Sequence, residues 1–151
     1  MIKDFKEKIL LHCLNLLEKK EEEIKTEIGN LRDGIANDAK SSMGDKYETS
    51  REMSQQEINR LEQQLANNGH QLFQLKSLNL SASTKSVGLG SLVKTNIGNF
   101  FISVGLGEIV VEKQPVFLIS AVSPLGKLII GKNEGDQFEM NNKEIKVLQL
   151  F

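Results

Sequence analysis

The sequence predicts an α+β protein: an antiparallel helical hairpin over residues 1–78, then a small β-rich domain over 79–151. Three observations predict it. Residues 1–77 are rich in Glu, Lys, Gln and Leu and contain no proline, a composition that favours helix. Residues 80–151 hold both prolines and eight of the twelve glycines, with many β-branched residues. In the first part apolar residues recur at spacings of three and four, as in a coiled-coil seam.

The helical part comes first. One apolar stripe runs Leu10, Leu14, Leu17, Ile24, Ile28, Leu31 and Ile35; a second runs Ile58, Leu61, Leu65, Leu72 and Leu75. Folded back on itself, the chain would pair Leu31 with Ile58, Ile28 with Leu61, Ile24 with Leu65, Leu17 with Leu72 and Leu14 with Leu75. All five pairs are centred on the bond between Gly44 and Asp45, so the stripes themselves place the tip near 41–48. Ser41-Ser42-Met43-Gly44-Asp45 supplies poor helix formers and a turn residue there. Each arm would run about 30 residues, or about 45 Å. The same pairing sets Glu21 opposite Asn68, a polar layer that would fix register at some cost in stability.

A linker is expected around Asn79–Lys85. Beyond it, Phe100-Phe101-Ile102-Ser103-Val104 and Leu128-Ile129-Ile130 read as strands. Ser86-Val87-Gly88-Leu89-Gly90 is echoed by Ser103-Val104-Gly105-Leu106-Gly107, which reads as two strand-and-turn segments. Neither has dinucleotide-binding or P-loop spacing.

Charge and cysteine content narrow the function classes. With 19 basic and 20 acidic residues the net charge is −1, which argues against broad binding of nucleic-acid phosphates. The single Cys13 excludes an internal disulfide and fits a reducing compartment. Lys3, Asp4, Lys6, Glu7 and Lys8 interrupt the start as a signal peptide would not be interrupted, and no apolar run approaches the ~20 residues of a membrane span. A soluble cytoplasmic protein is expected. His12, Cys13 and His70 have no metal-motif spacing; Cys13 reads as an apolar residue near the seam.

The tip carries the chemistry. Asp45 and Glu48 are three residues apart, which at the start of a helix brings two carboxylates to one side. Two readings stand. They are helix-start residues suited to the dipole, or part of a capping box; or they are hard-oxygen ligands that complete a Mg2+ site supplied mainly by another macromolecule. Lys40, Lys46 and Arg51 flank them and either contact RNA or polymerase or simply solvate the turn.

Gly44-Asp45-x-x-Glu48 resembles the tip of the GreA/GreB-type transcript-cleavage factors, bacterial proteins that bind in the secondary channel of RNA polymerase. Ile119-Ser120-Ala121-Val122-Ser123-Pro124 with Gly126-Lys127, Gly131-Lys132 and Gly135-Asp136 resembles the C-terminal signature of that family, and Gly90-Ser91-Leu92-Val93 its first strand in this domain. The resemblance spans nearly the whole chain and implies an FKBP-like C-terminal domain. It also implies a partner, RNA polymerase, with the nascent RNA 3′ end met only inside that complex. Asp45 and Glu48 would then share a Mg2+ with the polymerase active site and stimulate its cleavage of backtracked RNA. The chain would not be an enzyme itself and would bind no cofactor tightly alone, and Ser123 and Pro124 would help dock it. The sequence departs from the family where Thr49-Ser50-Arg51-Glu52 replaces Asn-Ala-Glu-Tyr, where Tyr47 precedes Glu48, and where Val122 replaces an acidic residue. Those departures bear on activity: the alternative is a channel binder that inhibits or modulates the polymerase without cleavage. A prolyl isomerase is disfavoured by few aromatics, with no Trp and one Tyr. A plain coiled-coil adaptor would leave the Asp45/Glu48 pair unexplained.

Overall fold

The computed structural model describes residues 2–40, 45–81 and 85–151, with only the backbone described for 39, 40, 45 and 46. Helices α1 (Ile2–Lys40) and α2 (Asp45–Lys76) are followed by strands β1 (Leu92–Thr95), β2 (Gly98–Ser103), β3 (Gly107–Val111) and β4 (Gln114–Ser120). Then come helix α3 (Pro124–Ile129) and strands β5 (Gln137–Met140) and β6 (Lys143–Leu150). The α+β organisation is the predicted one: a helical hairpin, then a six-stranded sheet. Chain packing groups residues 1–14 with 74–151 in one compact unit and Asn15–Phe73 in another.

In the Asn15–Phe73 unit the two arms are antiparallel. Ile24, Ile28, Ile58 and Leu61 are buried together, with Leu31, Ile35 and Leu65 against them. These are the residues of the predicted seam, and burying each stabilises the pair by about 1.5–3 kcal/mol. Arg32 bridges to Glu62 at 2.6 Å across the arms. The predicted turn residues 41–44 lie outside the described residues; the helices end and resume on either side of them. The polar layer differs from expectation. Asn68 is buried, but its side-chain amide donates to the Leu17 carbonyl at 2.8 Å, while Glu21 bonds Lys25 one turn away at 2.7 Å. An i,i+4 pair on one helix needs no reach across the seam, and it takes Glu21 out of the layer.

In the other unit the sheet order is β3-β4-β2-β1-β6-β5, antiparallel except for β2 beside β4. Alternation along the strands gives the sheet two buried faces. One carries Val93, Phe100, Ile102 and Val147 against Ile129 of α3, with Phe117, Ile119 and Leu150 beside them. The Phe100 and Phe117 rings stack at 5.5 Å. The other face carries Leu92, Phe101, Val116 and Leu118, all buried. The first turns of α1 and the end of α2 belong to this unit, and there Ile9, Cys13 and Leu75 are fully buried. Lys6 Nζ donates to the Phe151 carbonyl at 3.3 Å, and Lys8 pairs with Glu112 in the β3–β4 turn. The seam's lower end is therefore Ile9 and Cys13; the expected Leu10 and Leu14 are only half-buried.

Two further expectations meet the structure here. The echoed segments are strand and turn only in part: Ser86 forms an isolated bridge to Asn133 ahead of a turn at Leu89 and Gly90, and Ser103 and Gly107 are the end of β2 and the start of β3. Val87 and Val104 are buried, and Gly90 and Gly107 sit at φ +83° and +79°. Leu128-Ile129-Ile130 is not a strand. Leu128 and Ile129 close α3, and Ile130 caps it by donating to the Gly126 carbonyl at 3.0 Å. β-branched propensity is overruled by the strong helix start upstream, and a single helical face buries Ile129.

Candidate functional site

Two places hold the residues singled out in the sequence. The first is the start of α2. The helix opens at Asp45, so Glu48 stands in its first turn, where the unpaired main-chain N–H groups and the helix dipole favour negative charge. Glu48 and Arg51 are exposed, and neither forms an ion pair with a described side chain. The side chains of Asp45, Lys40 and Lys46 lie outside the described residues. What can be tested of the donor set fits a hard cation in part: Glu48 is an exposed carboxylate not already neutralised by a described partner. Two carboxylates make at most a fraction of a magnesium shell, which would need further ligands from elsewhere. Among the described residues no group of three or more His, Cys, Asp or Glu could hold a metal. The seam layer of Leu31, Ile35 and Ile58, with the Arg32–Glu62 bridge, holds the arms that lead to this helix start.

The second place is the corner between β4 and α3. Ser123 is the N-cap of α3, and Pro124 follows as its first residue. The Ser123 hydroxyl donates to the Ser120 carbonyl at 2.7 Å and accepts from the Gly126 N–H at 3.0 Å. Gly126 is required there: a Cβ would lie 2.0 Å from the Ser120 carbonyl oxygen. The Ser-Pro signature thus builds a tight corner, and its hydroxyl is spent on the cap. What the corner offers outward is apolar apart from the exposed Lys127. Val122 is 75% exposed, and Pro124 and Leu128 are exposed with it. Sequence reasoning named Ser123 and Pro124 and treated Val122 as a departure; its signal was an apolar residue directly before a Ser-Pro cap.

Comparison with protein families finds no match, and comparison with curated proteins finds none. A solved structure of the transcription factor Gfh1 aligns over 93% of this chain and 92% of that one, with 19% identity and a TM-score of 0.34. No helix among the described residues is long and apolar enough to cross a membrane.

Proposed function

We propose that this chain is a Gre-type factor that enters the secondary channel of RNA polymerase by its helical hairpin and stimulates cleavage of backtracked nascent RNA. The observation that carries the reading is the start of α2 at Asp45, which puts the Asp45/Glu48 pair in one helical turn beside the reversal of the hairpin. A carboxylate pair at the end of two seam-locked arms suits delivery into a narrow site. The motifs Gly44-Asp45-x-x-Glu48 and Ile119–Pro124 support the reading by their resemblance to that family's.

In this reading Asp45 is the principal metal-holding carboxylate, and Glu48 supports it or orients the attacking water. The bound Mg2+ would supply Lewis-acid stabilisation and an activated water for phosphodiester hydrolysis at the polymerase's own site. The chain's part is to bring charge. A helix N-terminus favours negative charge placed beside it. The corner of Val122, Ser123 and Pro124 docks the sheet unit by apolar contact, with Ser123 shaping the loop through its cap.

A second reading is favoured by Arg51. It is exposed three residues from Glu48 on the same helical face and can draw off part of the tip's negative charge. In that reading the hairpin occupies the channel and inhibits without cleavage. Incubating the protein with stalled, backtracked elongation complexes and resolving the RNA on a gel separates the two. Shortened RNA supports cleavage. Unchanged RNA with slowed nucleotide addition supports the inhibitor. No association with polymerase removes both.

A further inference from the structure

A cleft of about 350 Å³ opens in the sheet unit where the first turns of α1 meet β1, β2 and β6. Its size lies at the lower end of small-molecule sites, about 300–1,000 Å³. Phe5, Leu92 and Phe151 give it apolar walls with two aromatic rings. Across the sheet, Lys94 stands in register between Asn99 of β2 and Gln149 of β6, and all three line the cleft. This makes a row of one ammonium flanked by two side-chain amides.

The charges here are unbalanced. Lys94 forms no ion pair with any described residue. The carboxylate on the cleft wall, Glu112, is already held by Lys8. Lys6, outside the lining of the cleft, is 4% exposed, and its amine donates to the main-chain oxygen of Phe151 at 3.3 Å. Burial lowers its pKa from the ordinary lysine value.

We infer that this cleft binds a small organic carboxylate with a flat apolar body. The two rings and Leu92 take the body. Lys94 takes the carboxylate, and Asn99 and Gln149 donate to its oxygens. One free ammonium between neutral amides matches a single negative charge better than a phosphate dianion. The site depends on neither the hairpin tip nor a polymerase role.

The test is an NMR titration of the 15N-labelled full chain with benzoate. Acetate serves as the charge without the body, and benzyl alcohol as the body without the charge. Benzoate is expected to give saturable shifts centred on Phe5, Lys94, Asn99 and Gln149. Acetate and benzyl alcohol should each bind at least about tenfold more weakly. Lys94→Gln, a change on an exposed strand position, should keep the melting temperature and weaken benzoate at least about tenfold. Three results overturn the assignment: no saturable shift at these residues, acetate or benzyl alcohol equal to benzoate, or unchanged affinity in Lys94→Gln.

Discussion

The side-chain amide of Asn68 donates to the main-chain carbonyl of Leu17 at 2.8 Å, fastening α2 to α1 inside an otherwise apolar seam. The bond is half of what the amide needs, since Asn68 Oδ1 is buried with no hydrogen-bond partner. The Leu17 carbonyl, being inside a helix, retains its own helical donor if the amide is removed. Asn68→Leu should therefore raise stability by about 1 kcal/mol, or a few degrees in melting temperature, and loosen register. Glu21→Leu added to it should contribute little, because Glu21 faces Lys25 and not the seam. Thermal melts with light scattering for oligomeric state check both; a clear fall in melting temperature for Asn68→Leu would contradict the account of this layer.

The β4–α3 corner makes opposite demands on two neighbours. Gly126→Ala sets a methyl group 2.0 Å from a backbone oxygen, which the short helix must move to relieve. It should cost about 3 kcal/mol. Ser123→Ala loses a cap and should cost about 1 kcal/mol. Urea titrations of the two variants should show Gly126→Ala as the larger loss.

The β3–β4 turn is built from residues poorly suited to it. Glu112 and Lys113 sit at φ +51° and +66°, the same two-residue geometry that Asn141 and Asn142 adopt between β5 and β6. Asparagine tolerates that region and lysine does not. Lys113→Gly should stabilise the chain by about 1 kcal/mol, measured as a raised urea midpoint with unchanged slope. Glu112 is left in place because it holds Lys8.

Burial pushes the Cys13 thiol up to about 11 from a reference of 9.0. The unfolded chain thus loses this proton first as pH rises. Stability from the group is full below about pH 9 and is lost between there and about 11. Lys6 acts in the opposite sense: its lowered pKa makes the folded chain release a proton before the unfolded one, so stability from it rises with pH. Melting temperatures over that range should fall less steeply in Cys13→Ala than in the parent. The native thiol should also react slowly with a thiol reagent until denaturant is added.

The upper seam was legible because Ile24, Ile28, Ile58 and Leu61 pack with Leu31, Ile35 and Leu65, all at seam spacing, so spacing alone describes their packing. The lower end was not. There α1 belongs to the sheet unit, and that packing selects Ile9 and Cys13 over Leu10 and Leu14. Deleting residues 1–78 would strip Lys6, Ile9, Cys13 and Leu75 from the unit in which they are buried. Leu128–Ile130 misled because local β propensity is weaker than a Ser-Pro cap with Gly126 closing on Ser120. At the corner, Ser123 and Pro124 were found by motif, whereas the exposure of Val122 needed the fold. At the tip, the spacing of Asp45 and Glu48 could be read directly, because helix geometry turns three residues into one face. Nothing in the spacing alone separates a helix-start pair from a metal-holding one.

The most direct measurement is RNA cleavage in stalled, backtracked elongation complexes with wild type, Asp45→Asn and Glu48→Gln side by side. Each amide keeps the size and removes the charge that holds a hard cation. The account predicts shortened RNA with wild type, none with Asp45→Asn, a smaller loss with Glu48→Gln, and polymerase binding and melting temperature nearly unchanged in both. Cleavage that survives Asp45→Asn undiminished would contradict it, and so would a wild-type chain that never associates with the polymerase.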